Sequence, residues 1–174
     1  MSVSSPNKWY VLYVQSRHEK KIDALLRENR IETFLPLVKT IRKWSDRKKE
    51  VEMPLFPSYI FVKINLKKDV DRVLSVRTPC SFIRFGSEFA KVQEHEINSI
   101  RHLMKMNVDM KVENLGMVPK VGEFKKIKQG VLDGMDCEIV KIENEDKIVV
   151  RIDSIRQSIV ATVPSSDLVE LVLA

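Results

Sequence analysis

Four consecutive residues, Tyr59, Ile60, Phe61 and Val62, are apolar on both sides of any strand they could form. Side chains alternate across a pleat, so Tyr59 and Phe61 share one face while Ile60 and Val62 share the other. A small antiparallel sheet ordinarily buries one face and wets its opposite. A strand apolar on both faces needs a second cover, or it leaves one face for a partner. The run sits inside "PLFPSYIFV", residues 54–62, whose two prolines suit a bent approach rather than the middle of a sheet.

Around this strand the pattern is mixed. "KWYVLYV" (8–14) is β-branched and aromatic and reads as a buried strand. Ser16 precedes "RHEKKIDALLRENR", with Glu19 three residues on, which is the spacing of a capping box. Ile22, Leu25 and Leu26 then form one apolar stripe, so a helix is expected over about 17–29. "TFLPLVKTIRKW" (33–44) reads as a strand carrying a proline, and "KKEVEMPLF" returns from a charged turn, giving a long hairpin over 33–53. Helical spacing recurs in 67–77 and 92–105, on either side of a short strand at 81–86. The alternation of helices with mostly hairpin-linked strands favours an antiparallel α+β domain over residues 1–106.

Residues 107–119 lose periodicity and read as a linker. Beyond them, "EFKKIK", "CEIVKIE", "KIVVRID", "SIVATV" and "DLVELVL" are five short strands separated by turn signals. Short strands at this spacing predict a small five-stranded β-barrel over 120–174.

Charge divides the chain in the same place. Residues 1–106 hold 21 Lys/Arg against 12 Asp/Glu, and residues 107–174 hold 9 against 12. The basic front half is a candidate for lying near nucleic acid, with a solvated lysine-rich surface as the alternative. Five of its cations, Arg42, Lys43, Arg47, Lys48 and Lys49, surround Trp44 at the expected hairpin tip. Such a tip can reach phosphates, and an indole can stack on an unpaired base. A Trp44 folded back on the sheet is the other option.

Enzymatic chemistry finds little support. His95 and His102 lie seven apart and His18 stands alone, so no metal-ligand spacing is evident. Neither phosphate-cradling glycine motif occurs, and the chain has only 5 glycines. No Ser, Cys and His arrangement suggests a nucleophile. The two cysteines, Cys80 and Cys137, are far apart and are expected as free thiols. The N-terminal "MSVSSPN" lacks a signal-peptide pattern, and no apolar run approaches the roughly 20 residues of a membrane helix, so a soluble cytoplasmic monomer without cofactors is expected.

The ordered set "WYVLYVQSRHEKK", "FLPLV", "PLFPSYIFV" and "FIRFG" resembles the N-terminal domain of the NusG family of transcription elongation factors. The segment "VGEFKKIKQGVLDGMDCEIVKIENEDKIVVRI" resembles that family's KOW domain, an SH3-like β-barrel. Two departures stand out. Housekeeping members usually carry Gly-Tyr where this chain has Ser58-Tyr59, and their KOW turns differ from "QGVLDG" and "DSIRQS". With "WSDRKK" in the hairpin, these make the chain more similar to specialised paralogues of the RfaH and UpxY type, antiterminators of surface-polysaccharide operons.

The resemblance implies a non-enzymatic factor whose N-terminal domain docks on the clamp helices of the RNA polymerase largest subunit and favours processive elongation. Its KOW domain would recruit Rho or a ribosomal protein. Carried over by position, the docking pocket is Tyr13, Phe56, Tyr59 and Phe61; from its own cations and Trp44, the basic hairpin tip is expected to contact DNA at the transcription bubble. Tyrosine suits such a floor because a large ring is buried while the hydroxyl stays wet. The helix after the quoted strand, "KKDVDRVL", lacks the histidine-threonine run that touches the polymerase gate loop in RfaH-like members. Two alternatives stay open: Tyr59 and Phe61 as plain core residues, and a KOW-containing RNA-binding or ribosome-associated protein that never meets polymerase.

Overall fold

The computed structural model describes residues 6–106, 108–114, 123–126, 136–142 and 145–162. By internal contacts the chain divides into Met1–Glu94 and His95–Ala174. Each unit is described by itself.

The first unit is built on β1 (Lys8–Val14), α1 (Glu19–Glu28), β2 (Glu32–Phe34), β3 (Leu37–Lys43), β4 (Lys48–Pro54), β5 (Tyr59–Ile64) and α2 (Leu66–Leu74). Four short strands follow: β6 (Cys80–Phe82), β7 (Arg84–Phe85), β8 (Glu88–Phe89) and β9 (Lys91–Val92). The main sheet runs β2-β5-β1-β6, with β9 also paired to β1. Every pairing in it is antiparallel. The strand expected over 33–44 breaks at Leu35-Pro36. Its first part pairs with β5, while the second leaves the sheet and pairs only with β4. Proline cannot donate to a ladder, and the Pro36 carbonyl instead accepts from Leu55 N–H at 2.8 Å, closing the base of the hairpin.

One face of the sheet carries the helices. Tyr10, Leu12 and Val14 of β1 and Ile60, Val62 and Ile64 of β5 pack with Ile22 and Leu26 of α1 and with Val73 of α2. This is the face expected for Ile60 and Val62. Burial pushes the Tyr10 hydroxyl above its ordinary range, so it stays neutral.

The helix ends follow local chemistry, with one departure. At the C-terminus of α1, Arg30 N–H donates to the Arg27 carbonyl and Ile31 N–H to the Leu26 carbonyl, at 2.9 and 3.0 Å. That is a Schellman motif, with Arg30 at φ 58 in the left-handed position usually given to glycine. Ile31 and Leu26, both buried, provide its hydrophobic contact. α2 is capped by Asn65, whose side chain accepts from Lys67 N–H at 3.0 Å while Asp69 accepts from Asn65 N–H at 2.9 Å. The capping box expected from Ser16 does not form: α1 starts after His18 with no side-chain cap. The Glu19 carboxylate turns instead to the Ser58 backbone N–H, 2.9 Å away. A partner distant in sequence displaces the local one.

α3 (Glu94–Lys105) has its first residue in the first unit and the rest in the second, which continues with β10 (Met110–Asn114), β11 (Glu123–Lys126), β12 (Asp136–Ile142), β13 (Glu145–Ile152) and β14 (Gln157–Thr162). Its five strands form an antiparallel sheet in the order β10-β14-β13-β12-β11. Four of them match the strands expected from the sequence. The fifth expected strand, at 167–173, lies outside the described residues, as does closure into a barrel. Residues 110–114, expected to belong to a linker, are a strand whose Val112 sits opposite Ile159. Its alternation of Met110 and Val112 with Lys111 and Glu113 is short and highly charged, and only pairing with β14 makes it regular. The expected linker also placed all of α3 in the first domain, whereas the contact division groups His95 onward with the strands. Within this unit, buried Glu96 accepts from the Ser154 backbone N–H at 3.2 Å and from the Ser154 hydroxyl.

Candidate functional site

The second face of the β1–β5 pair answers the opening problem in three steps along its length. The register sets Trp9 opposite Lys63, Val11 opposite Phe61 and Tyr13 opposite Tyr59, all on the face away from α1 and α2. At one end Trp9 is buried, its Nε1–H donating to Glu94 Oε2 at 2.9 Å. The Lys63 ammonium lies 3.3 Å from the same carboxylate and 5.5 Å from the indole centroid. In the middle, Val11 and Phe61 are fully buried. Phe61 stacks on Phe34 at 6.0 Å and meets Phe56 edge-on at 5.6 Å. At the far end the face opens. Tyr13 is 47% exposed and Tyr59 partly so, their rings edge to face at 6.4 Å.

The structure thus separates the four expected pocket residues into two pairs. Phe56 and Phe61 are 1% and 0% exposed and belong to the core, so neither presents a ring to solvent. Tyr13 and Tyr59 form the accessible patch. Strand alternation placed Tyr59 and Phe61 on one face correctly, but it could not tell which end of that face would be covered. Sequence reasoning also gave no role to Phe34, the half-buried ring stacked on Phe61, because the 33–44 strand was read only as an arm of the hairpin and not as a neighbour of β5.

The turn that delivers Tyr59 is strained and tied down. Ser58 has φ 67, where an L side chain crowds its own backbone at a cost of about 1–2 kcal/mol. Its N–H donates to Glu19 and its carbonyl accepts from Val14 N–H, each at 2.9 Å.

The hairpin is a separate two-stranded ribbon. All residues from 41 to 50 are exposed, and Trp44 is 54% exposed rather than folded onto the sheet. Trp44 N–H donates to the Arg47 carbonyl at 2.7 Å, closing a turn at Ser45 and Asp46. The last two rungs set Arg42 opposite Lys49 and Lys43 opposite Lys48. Like charges directly across a ladder repel, so this tip is unfavourable by itself and suited to a polyanion. Nearer the stem the charges are paired, with Lys39 3.0 Å from Glu50. That neighbour holds the Lys39 ammonium above its ordinary range. Arg42 reaches the Met53 sulfur at 3.2 Å, and Arg47 lies 4.0 Å from Asp46. Among the described residues Lys43, Lys48 and Lys49 have no carboxylate within salt-bridge distance.

Among the described residues no three His, Cys, Asp or Glu side chains gather as metal ligands, and no helix is long and apolar enough to cross a membrane. Cys80 is a free, half-buried thiol, pushed up in pKa by that burial.

Comparison with known proteins agrees with the architecture. One solved structure, described as "Domain interaction in Thermotoga maritima NusG", shares the fold with a TM-score of 0.51 at 24% identity, covering 91% of this chain and 94% of that one. No curated protein sequence matches the chain. The family model described as "Transcription termination factor nusG" matches residues 7–101, which span both the tyrosine patch and the basic hairpin. That match takes in more than half of the sequence, and the chain belongs to the NusG family of transcription factors.

Proposed function

We propose that this NusG-family factor docks on the clamp helices of the RNA polymerase largest subunit through Tyr13 and Tyr59, and so promotes processive elongation. The observation that supports this reading is the exposed tyrosine pair at the open end of an otherwise buried sheet face. A helix tip can lay apolar side chains against such rings while the phenolic hydroxyls remain hydrated. In this assignment Phe56 and Phe61 act from beneath, as a rigid aromatic bed, rather than as contact residues. Replacing Tyr13 and Tyr59 by Ala abolishes capture of core RNA polymerase by the full-length protein on this reading. Binding that survives in a folded double variant supports instead the RNA-binding or ribosome-associated alternative.

The hairpin tip is assigned to nucleic acid at the transcription bubble, with Arg42, Lys43, Arg47, Lys48 and Lys49 on phosphates and Trp44 available to an unpaired base. The like-charged rungs and the exposed indole favour it. We assign the factor to the operon-specific branch of the family, acting at a surface-polysaccharide operon, on the strength of Ser58 and the basic "WSDRKK" tip. The C-terminal strands are assigned to recruitment of a second partner, a ribosomal protein or Rho. Transcript profiling of a deletion strain tests the specialised role: lost read-through at one long operon supports it, and genome-wide changes overturn it.

A further inference from the structure

The exposed tyrosine pair is not set by its own strands alone. Tyr59 follows directly on Ser58, and both peptide groups of Ser58 are fixed by other elements. Its N–H donates to Glu19 Oε1 from α1, and its carbonyl accepts from Val14 N–H of β1, each at 2.9 Å. Tyr59 N–H in turn donates to the Phe56 carbonyl at 3.1 Å. Val14 is the neighbour of Tyr13, so one turn ties together the backbone beneath both rings.

Glu19 is 4% exposed. Among the described residues, no cation pairs with its carboxylate within salt-bridge distance. A buried carboxylate is unfavourable unless hydrogen-bonded. Its favourable surroundings are the Ser58 N–H and its place as first residue of α1, where the helix dipole favours a negative charge. Ser58, at φ 67, is the partner that most needs holding.

We infer that Glu19 is a positioning residue for the docking patch: its carboxylate holds the strained Ser58 turn so that Tyr59 stands edge-on against Tyr13, an inference that rests on the docking reading above. Glu19 itself need not touch the partner. The carboxylate oxygen acts as an acceptor, so an amide in its place keeps the bond and a methyl group loses it. Glycine at 58 adopts the left-handed conformation without strain and makes the acceptor less necessary.

The test compares full-length Glu19→Ala, Glu19→Gln, Ser58→Gly and the Glu19→Ala/Ser58→Gly double variant. Two readouts are taken well below each melting temperature: ring-to-ring NOEs between Tyr13 and Tyr59 with labelled tyrosine, and affinity for core RNA polymerase. Glu19→Ala is expected to lose the NOEs and to weaken binding about tenfold. Glu19→Gln stays near wild type, and the double variant recovers both signals. Should Glu19→Ala not fold, Glu19→Asp, shorter by one methylene, gives the same losses. NOEs that persist in the variant lacking the acceptor overturn the inference, as does a double variant that regains stability without regaining the NOEs. Wild-type binding by Tyr59→Ala sinks the docking reading instead, and the NOEs still decide the role of Glu19.

Discussion

Trp9 and Tyr13 lie on the same strand and the same face, each opposite a residue of β5, yet one is 1% exposed and the other 47%. The difference does not lie in the strands. At the Trp9 end, the first residue of α3 supplies a carboxylate for the indole N–H and for Lys63. At the Tyr13 end the chain supplies a turn, Pro57-Ser58, whose backbone bonds to β1, and the ring of Tyr13 stays exposed while that of Tyr59 is partly so. Tyrosine tolerates that position because its hydroxyl stays solvated, whereas an exposed indole edge would leave more apolar area in water. One face of one strand pair is thus core at one end and exposed at the other, where the proposed docking patch lies.

The largest expected effect tests the border between these two regions. Phe61→Ala empties a site lined by the Phe34 and Phe56 rings and should cost about 3–5 kcal/mol in urea unfolding. Tyr13→Ala, two rungs away, should cost under about 1 kcal/mol while abolishing polymerase capture. Equal stability losses at the two positions would erase the distinction. At the closed end, Trp9→Phe removes the bond to Glu94 and should cost about 1–2 kcal/mol, a value limited by the ease with which the half-exposed carboxylate is rehydrated. A Trp9→Phe variant as stable as wild type would mean that packing, not the hydrogen bond, closes this end. At the open end, Ser58→Gly exchanges strain for extra unfolded-state freedom and should gain about 0.5 kcal/mol, seen as a rise of about 2–4 °C in melting temperature. Loss of stability there would place the Ser58 side chain, not its φ, in the main role.

The smallest effect on stability falls in the hairpin, which belongs to neither end. Replacing Arg47, Lys48 and Lys49 by Ala removes both like-charged rungs and should change stability by only a few tenths of a kcal/mol, in the favourable direction. Its effect on binding is different in kind. The slope of log affinity against log salt for a bubble-containing DNA should become shallower by about 2. An unchanged slope would remove the hairpin from the interface.

Much of this was legible in the residues. The stripe of Ile22, Leu25 and Leu26, the alternation of β1 and β5 and the charged return at 44–49 give helix, sheet pair and hairpin with their facing residues. Ile60 and Val62 share one face, as their parity required, and it is the face packed with α1 and α2. The misreadings share a cause. Ser16 was expected to cap α1 from a local motif, but Glu19 is drawn to Ser58, 39 residues away. The 110–114 strand was hidden because its partner, β14, lies more than forty residues on. Phe56 and Phe61 were grouped with the tyrosines by the resemblance, and neither position nor strand parity reports how much of a face is covered.

What the sequence determined by itself is therefore the first strand and helix, the faces of the 59–62 strand residues, the charged hairpin return and the concentration of cations around Trp44. These depend on neighbours within a turn or a pleat, where sequence spacing is spatial spacing. What only the tertiary structure decided is which aromatic rings are core and which are surface. Trp9 is closed off by a residue 85 positions away, and Tyr13 stands opposite Tyr59 through the pairing of β1 with β5, strands more than forty residues apart in sequence. Exposure is a property of what packs on top, and the covering residues come from parts of the chain that no local pattern relates.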